Sequence, residues 1–337
     1  MKTTSLGLLS LFSLIFVIIL LPMHVRQDIR LDAQEKVREQ IVNYDGALRT
    51  AVQDAAVALG YDERELLEED IQYDSDKNIR PNKERALEAF LRTLYINFDL
   101  LDDSIAQQTL LRYIPAMAVI DYDGFWVYAE AEYTGDDGET LIGPVWHPKK
   151  PFAYKDFAGN SLSFTLDDYV YAYSSATATW HEGKREEVDQ ETGGAISLLG
   201  DAQLFEEVRR STIVWTIQNQ LQLYINKHNE YARRLGIEYT FTLPSISQEE
   251  WNNSINDVGI MAFIQGIPAG AEAYNSYAFG GGRLIRKHEI YGSIRDGRKV
   301  YYRAGCEKPQ DTVEEIFGSE KEAAMNGYYP ASCANGN

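Results

Sequence analysis

No charged residue stands between Lys2 and Arg26, and at Arg26 the composition changes abruptly. The uncharged stretch exceeds the roughly 20 residues that a helix needs to cross the hydrocarbon core of a bilayer. From Leu6 to Leu21 it is mostly Leu, Ile, Val and Phe, each favouring insertion by about 0.3 to 0.6 kcal/mol. A removable signal ends in small residues after a shorter apolar core, whereas this run ends in Leu21-Pro22-Met23-His24-Val25. The expectation is a retained transmembrane anchor over residues 1–25, contacting the membrane through residues 4–25. Counting Lys and Arg on the two flanks favours a cytoplasmic body. The basic cap on an apolar core, together with Asp28, Asp32, Glu35 and Glu39 among the later basic residues, favours a body displayed outside the cytoplasm. The second orientation is adopted.

Past Arg26 an apolar stripe recurs at spacings of three and four: Ala33, Val37, Ile41, Tyr44, Leu48, Ala51, Ala55 and Ala58, with Gly60 as a stop signal. Residues 26–60 therefore read as an amphipathic rod helix continuing the anchor. The stripe either docks on the chain's own body or packs on neighbouring subunits. Ala47, Ala51, Ala55 and Ala58 are the candidate packing residues, because small side chains let helices approach closely.

Residues 61–80 read as an acidic linker. The head, 81–337, begins at Pro81, where a helix can start, and Leu87, Phe90, Leu91, Leu94, Phe98 and Leu101 mark an amphipathic helix. Aromatic and β-branched runs follow at 116–122, 125–133, 141–146 and 169–173. Asp123-Gly124, Asp137-Gly138 and Gly159-Asn160 punctuate or border them, which predicts an antiparallel meander. A second long helix is expected over 201–235, a strand over 237–243, and a helix over 247–264 entered by the capping box Ser247-x-x-Glu250. A hairpin is expected between 283–294 and 298–304 across Asp296-Gly297. The fold class is α+β: a transmembrane helix running into an amphipathic helix, then a head with an antiparallel meander and two further long helices.

A formal charge of −19 opposes affinity for phosphate backbones and anionic lipid, so nucleic acid is not an expected partner. Cys306 and Cys333 have neither zinc-site nor Cys-x-x-Cys spacing. In an extracytoplasmic body they are expected to pair, a disulfide contributing roughly 3.5 kcal/mol by closing its loop.

No motif for catalysis, cofactor or metal emerges. Asp74-x-Asp76-x-Asn78 spaces oxygen ligands like a calcium loop, but Ile79 replaces the turn Gly and Arg85 the bidentate Glu. His24, His147, His181, His228 and His288 form no pair on one helical face, and His228 reads as a core histidine. Gly280-Gly281-Gly282-Arg283 lacks the spacing of a phosphate cradle and reads as a turn. Asp121 with Asp123, and Asp167 with Asp168, are carboxylate pairs whose separation decides whether they can act on a glycosidic bond. The aromatic runs Phe125-Trp126-Val127-Tyr128 and Tyr169-Val170-Tyr171-Ala172-Tyr173 can supply a stacking platform for sugars or peptides, with half of each run in the core.

The basic start, the apolar span, and a stripe carrying Asp45-Gly-Ala-Leu-Arg-Thr-Ala and Asp54-Ala-Ala resemble the first 60 or so residues of bacterial pilin-like and tight-adherence (Tad-type) pseudopilin membrane proteins. The resemblance implies a single-pass, surface-displayed structural or accessory protein of the envelope, associating with itself or with envelope partners through the rod helix and needing no cofactor. Two other readings stay open: an extracytoplasmic ligand-binding or sensor-like module, and an anchored glycan hydrolase.

Overall fold

The structure, a computed structural model, describes residues 21–60, 75, 77, 81–135, 137–270, 272–281, 290–295, 297–303, 313–317 and 320–331. It divides into two units, residues 1–282 and 283–337.

In the first unit, side chains that accept the unpaired amides of a first turn set most helix starts. Helix α1 (Leu21–Leu59) stops beside Gly60. Asn82 accepts the Arg85 amide at 2.9 Å ahead of α2 (Lys83–Asn97), and Asp103 accepts the amides of Ile105 and Ala106 ahead of α3 (Ser104–Leu111). Seven strands follow: β1 (Met117–Asp121), β2 (Gly124–Thr134), β3 (Thr140–Trp146), β4 (Lys150–Lys155), β5 (Ser161–Phe164), β6 (Tyr169–Ser174) and β7 (Thr179–Lys184). Helix α4 (Arg185–Glu191) and a 3-10 turn (Ser197–Gly200) lead to α5 (Ala202–Arg234), capped by Asp201. Helix α6 (Gln248–Ser254) opens on the Ser247/Glu250 capping box, and β8 (Gly259–Ala269) and β9 (Glu272–Gly281) close the unit.

The strands form one antiparallel sheet in the order β7-β6-β5-β4-β2-β1-β8-β9, with β3 alongside the remainder of β2. On one face α1 lies over β8 and β9 and against α2. The approach is close enough that a Cβ built on Gly280 would sit 2.3 Å from the Val52 carbonyl oxygen, so only glycine fits there. Ala47, Ala51, Ala55 and Ala58 are all buried in this seam, Ala51 and Ala55 completely. The chain's own sheet and α2 therefore occupy the alanine face. On the opposite face α5 meets β5 through the edge-to-face contact of Phe205 with Phe164, and α6 meets β9 through Trp251 with Phe279.

The second unit carries β10 (Ile290–Arg295), β11 (Arg298–Arg303), β12 (Val313–Phe317), α7 (Glu320–Met325) and β13 (Tyr329–Pro330), with sheet order β12-β10-β11-β13. Strands β10 and β11 pair from Ile290↔Arg303 to Arg295↔Arg298, with a turn at Gly297. Tyr301, Phe317, Ala323 and Tyr328 form its core.

The class is α+β with a large antiparallel sheet, but several expectations need correction. Among the described residues no helix is long and apolar enough to cross a membrane. Of the expected anchor, residues 1–20 lie outside the described residues, and 21–25 open a helix that turns charged at Arg26. The expected transmembrane helix and signal anchor are therefore not found among the described residues. The described residues contain no disulfide either, and Cys306 and Cys333 both lie outside them. The expected helix over 247–264 ends at Ser254, and its apolar tail is the buried strand β8. A strand buried on both faces shows no alternation, so its period cannot be read from sequence. Residues 237–243 form no strand. Instead Phe241 is held from outside the sheet, its amide donating to Asn229 at 2.8 Å and its carbonyl accepting from the same side chain.

An intramolecular alanine seam makes a direct prediction. Ala51→Leu overpacks the contact of α1 with the sheet and lowers stability by about 1–3 kcal/mol, read by urea denaturation at two protein concentrations. The exposed Val42→Ala, on the same helix, changes it by less than about 0.5 kcal/mol.

Candidate functional site

Strands β5 and β6 alternate between buried and half-buried residues, and β4 and β7 set the buried Phe152 and Gly183 among more exposed neighbours. Phe152, Phe164, Val170 and Gly183 share one row of the inner face, toward α5. The outer face carries Lys155, Ser161, Tyr173 and Trp180 in one row and Ala153, Ser163, Tyr171 and Glu182 in the next, with Tyr169 opposite Lys184 beyond them. Because Gly124 pairs with Pro151, this outer face continues the face that α1 covers over β8 and β9, and α1 does not reach it.

The aromatic side chains there form two close pairs. Tyr169 and Tyr171 have ring centroids 5.9 Å apart, and Tyr173 and Trp180 are 5.2 Å apart. Trp180 is 67% exposed, and Phe157, at the tip of the β4–β5 turn, is 111% exposed. That turn is tied to the β6–β7 turn by the buried Asn160, whose side-chain oxygen accepts the Ser175 amide at 2.8 Å, while Ser175 Oγ donates to the Ala158 carbonyl at 2.9 Å. The end of the sheet bearing Phe157, Tyr173 and Trp180 is thus braced. Ser161 and Ser163 leave a low strip beside the tyrosines, flanked by Lys155 on β4 and by Glu182 and Lys184 on β7.

The carboxylate pairs are engaged elsewhere. Lys149 donates to both Asp121 and Asp123, and its ammonium lies 4.8 Å from the Trp126 ring centroid. Burial alone would lower the Lys149 ammonium, but the two carboxylates more than offset it and hold it above the ordinary lysine range. Burial pushes Asp121 up against the pull of Lys149. With a lysine between them, these aspartates form an ion triad and are not a water-activating pair. Asp167 is a hydrogen-bond hub. It accepts from Ser75 Oγ, Tyr122 OH (2.5 Å), Thr165 Oγ1 (2.9 Å) and the Tyr169 amide (3.1 Å), while Asp168 is exposed. Burial alone would raise Asp167, but these donors outweigh it and hold its carboxyl below the usual range.

Among the described residues no cluster of three or more His, Cys, Asp or Glu is arranged to hold a metal ion. His147 stacks on Tyr224 at 4.0 Å, and burial lowers its imidazole. His181 Nδ1 lies 3.2 Å from Glu191. His228 is buried, with Nε2 3.1 Å from the Arg112 carbonyl and Nδ1 2.9 Å from Glu130. The side chain of His24, all of His288, the Asp74-x-Asp76-x-Asn78 triplet, and Gly282 and Arg283 lie outside the described residues. Gly280 and Gly281 end β9. Sequence reading singled out the tyrosines of β6 but missed Trp180 and Phe157 as their neighbours, although Trp180 opens the run Trp180-His181-Glu182.

No family model, curated protein or solved structure matches the chain. The pilin-like resemblance of its first 60 or so residues therefore rests on sequence pattern alone.

The Asp167 hub gives the site region a pH dependence. A carboxylate whose folded pKa is depressed stabilises fully above its unfolded value of about 3.9 and loses that contribution as pH falls through the folded value. Asp167→Asn is expected to lower stability by about 1–3 kcal/mol at pH 7. In denaturation series from pH 7 to pH 2.5, the gap to the unsubstituted protein should close only in the acid limb.

Proposed function

We infer that this chain is a binding module whose outer β4–β7 face grips a neutral oligosaccharide. The observation that carries the reading is the braced row of half-buried Tyr169, Tyr171 and Tyr173 with the exposed Trp180, beside the low Ser161–Ser163 strip. The pyranose face presents C–H groups that stack on aromatic rings, and its hydroxyls seek donors and acceptors of the kind that Tyr hydroxyls, Ser161, Ser163, Glu182 and Lys155 provide. Successive tyrosines on one face of a strand stand about 7 Å apart, close enough to contact adjacent sugar rings of an extended chain.

A peptide fits this face less well. Strand β6 is paired on both sides, by β5 and β7, so its backbone offers no free edge for an added strand, and recognition falls to side chains. The net charge of −19 disfavours anionic polymers and leaves neutral glycans unopposed. The ion triad at Asp121 and Asp123 and the saturated Asp167 favour binding over hydrolysis.

The test is titration with cellohexaose, chitohexaose, laminarihexaose and xylohexaose, followed by tryptophan fluorescence and calorimetry. At least one should give a saturable signal. Trp180→Ala should abolish the fluorescence change, and Tyr173→Ala should weaken binding roughly tenfold, since removing one stacked ring forfeits on the order of 1.5 kcal/mol of burial. No saturation with any of the four, or binding unchanged in Trp180→Ala, would contradict the reading.

A further inference from the structure

The ion triad at the β1–β2 turn holds the parts of an amide-forming reaction in one place. Lys149, one residue ahead of β4, donates from Nζ to Asp121 Oδ2 at the end of β1 and to Asp123 Oδ1 in the turn. Asp121 is 6% exposed. Its other oxygen, Oδ1, accepts the Tyr122 amide at 2.7 Å. The lysine nitrogen also lies over the Trp126 ring, 4.8 Å from its centroid.

The triad therefore joins a primary amine, a carboxyl that burial disfavours as an anion, and a second carboxylate within reach of the same nitrogen. An ammonium and a carboxylate withdrawn from water lose their desolvation penalty by passing one proton from nitrogen to oxygen, which leaves a neutral amine beside a neutral acid. That neutral pair is the reacting form of a condensation. The charged form predominates, since the two carboxylates hold Lys149 above the ordinary lysine range. The neutral form is thus a minor species, and the reaction it feeds is slow and occurs once per chain. What the fold supplies is proximity: groups held at hydrogen-bond distance meet at an effective concentration that free reactants do not reach.

We propose that Lys149 and Asp121 condense within the folded chain to an isopeptide bond, with Asp123 as the proton carrier. Nζ of the amine attacks Cγ of the protonated Asp121, and the charge that gathers on Oδ1 is met by the Tyr122 N–H. Asp123 takes a proton from Nζ and hands it to Oδ2. The Cγ–Oδ2 bond breaks, the Nζ–Cγ bond remains, and Oδ2 leaves as water. Ammonium and carboxylate become one amide and one water, Asp123 is regenerated, and nothing is oxidised or reduced. Because β2 lies between β1 and β4 in the sheet, the bond straps those two strands together across it. The cross-link does not rest on the glycan reading.

The experiment is mass spectrometry of the full chain, purified and kept folded at neutral pH, beside its Lys149→Arg variant, which keeps a cation for the two aspartates but lacks the nucleophilic amine. After correction for the substitution, the unsubstituted chain should be lighter by one water, about 18 Da. A succinimide at an Asp-Gly pair loses the same mass, so tryptic mapping reads the position. The cross-link gives one branched peptide joining Asp121 to Lys149, uncleaved after Lys149 and stable to hydroxylamine. Asp123→Asn should slow the loss of water roughly a hundredfold. The first comparison needs no folded variant, because the branched peptide is read in the unsubstituted chain. Absence of that peptide from the folded, unsubstituted chain, or its formation at an unchanged rate in Asp123→Asn, overturns the proposal.

Discussion

The contact on which the first unit depends is the descent of α1 onto the sheet at Gly280. A backbone carbonyl of the helix comes so near this strand that any side chain there would collide with it. Approach at that distance requires a glycine on the strand and small residues on the helix, and Ala51 and Ala55, fully buried, meet the second demand. Once the helix is seated, its position decides what the remainder of the sheet presents. Helix α1 shields the β8–β9 end of one face, α5 and α6 pack on the other, and Trp180 stays exposed on the β4–β7 part of the first face.

Elements with an unambiguous local signal were legible from sequence. The long helix α5 announces itself through an apolar face and through Asp201, and the β10–β11 hairpin through Asp296-Gly297. The three tyrosines of β6 declare their common face by strict alternation with Val170 and Ala172. Signals failed where burial removed the period. Strand β8 is buried along nearly all its length, so Ile260 to Ile264 looks as much like a helix core as a strand. Long-range partnerships were illegible for a different reason. Nothing local says that Lys149 will sit between Asp121 and Asp123, or that Ser75 will reach Asp167 across 92 residues of chain. The alanine stripe was visible as a packing surface, but its partner was not, because small residues admit a sheet as readily as another helix.

The charged groups fall into two kinds. Those in the interior are saturated: Lys149 with two aspartates, Arg209 with Glu206 and the Thr165 carbonyl, Asp167 with four donors. Such groups hold β5, β6 and α5 in register. Exposed charge sits on the outer rows of β4 to β7, at Lys155, Glu182 and Lys184. That division suits a protein that recognises ligands on a rigid frame.

Amide hydrogen exchange across residues 47–59 tests the seating of α1 most directly. If the helix is internal to the fold, these amides should exchange as slowly as those of β8, at a rate independent of protein concentration. Rapid exchange in dilute protein, with protection appearing only on self-association, would contradict the account, because the alanine seam would then belong to an interface between chains.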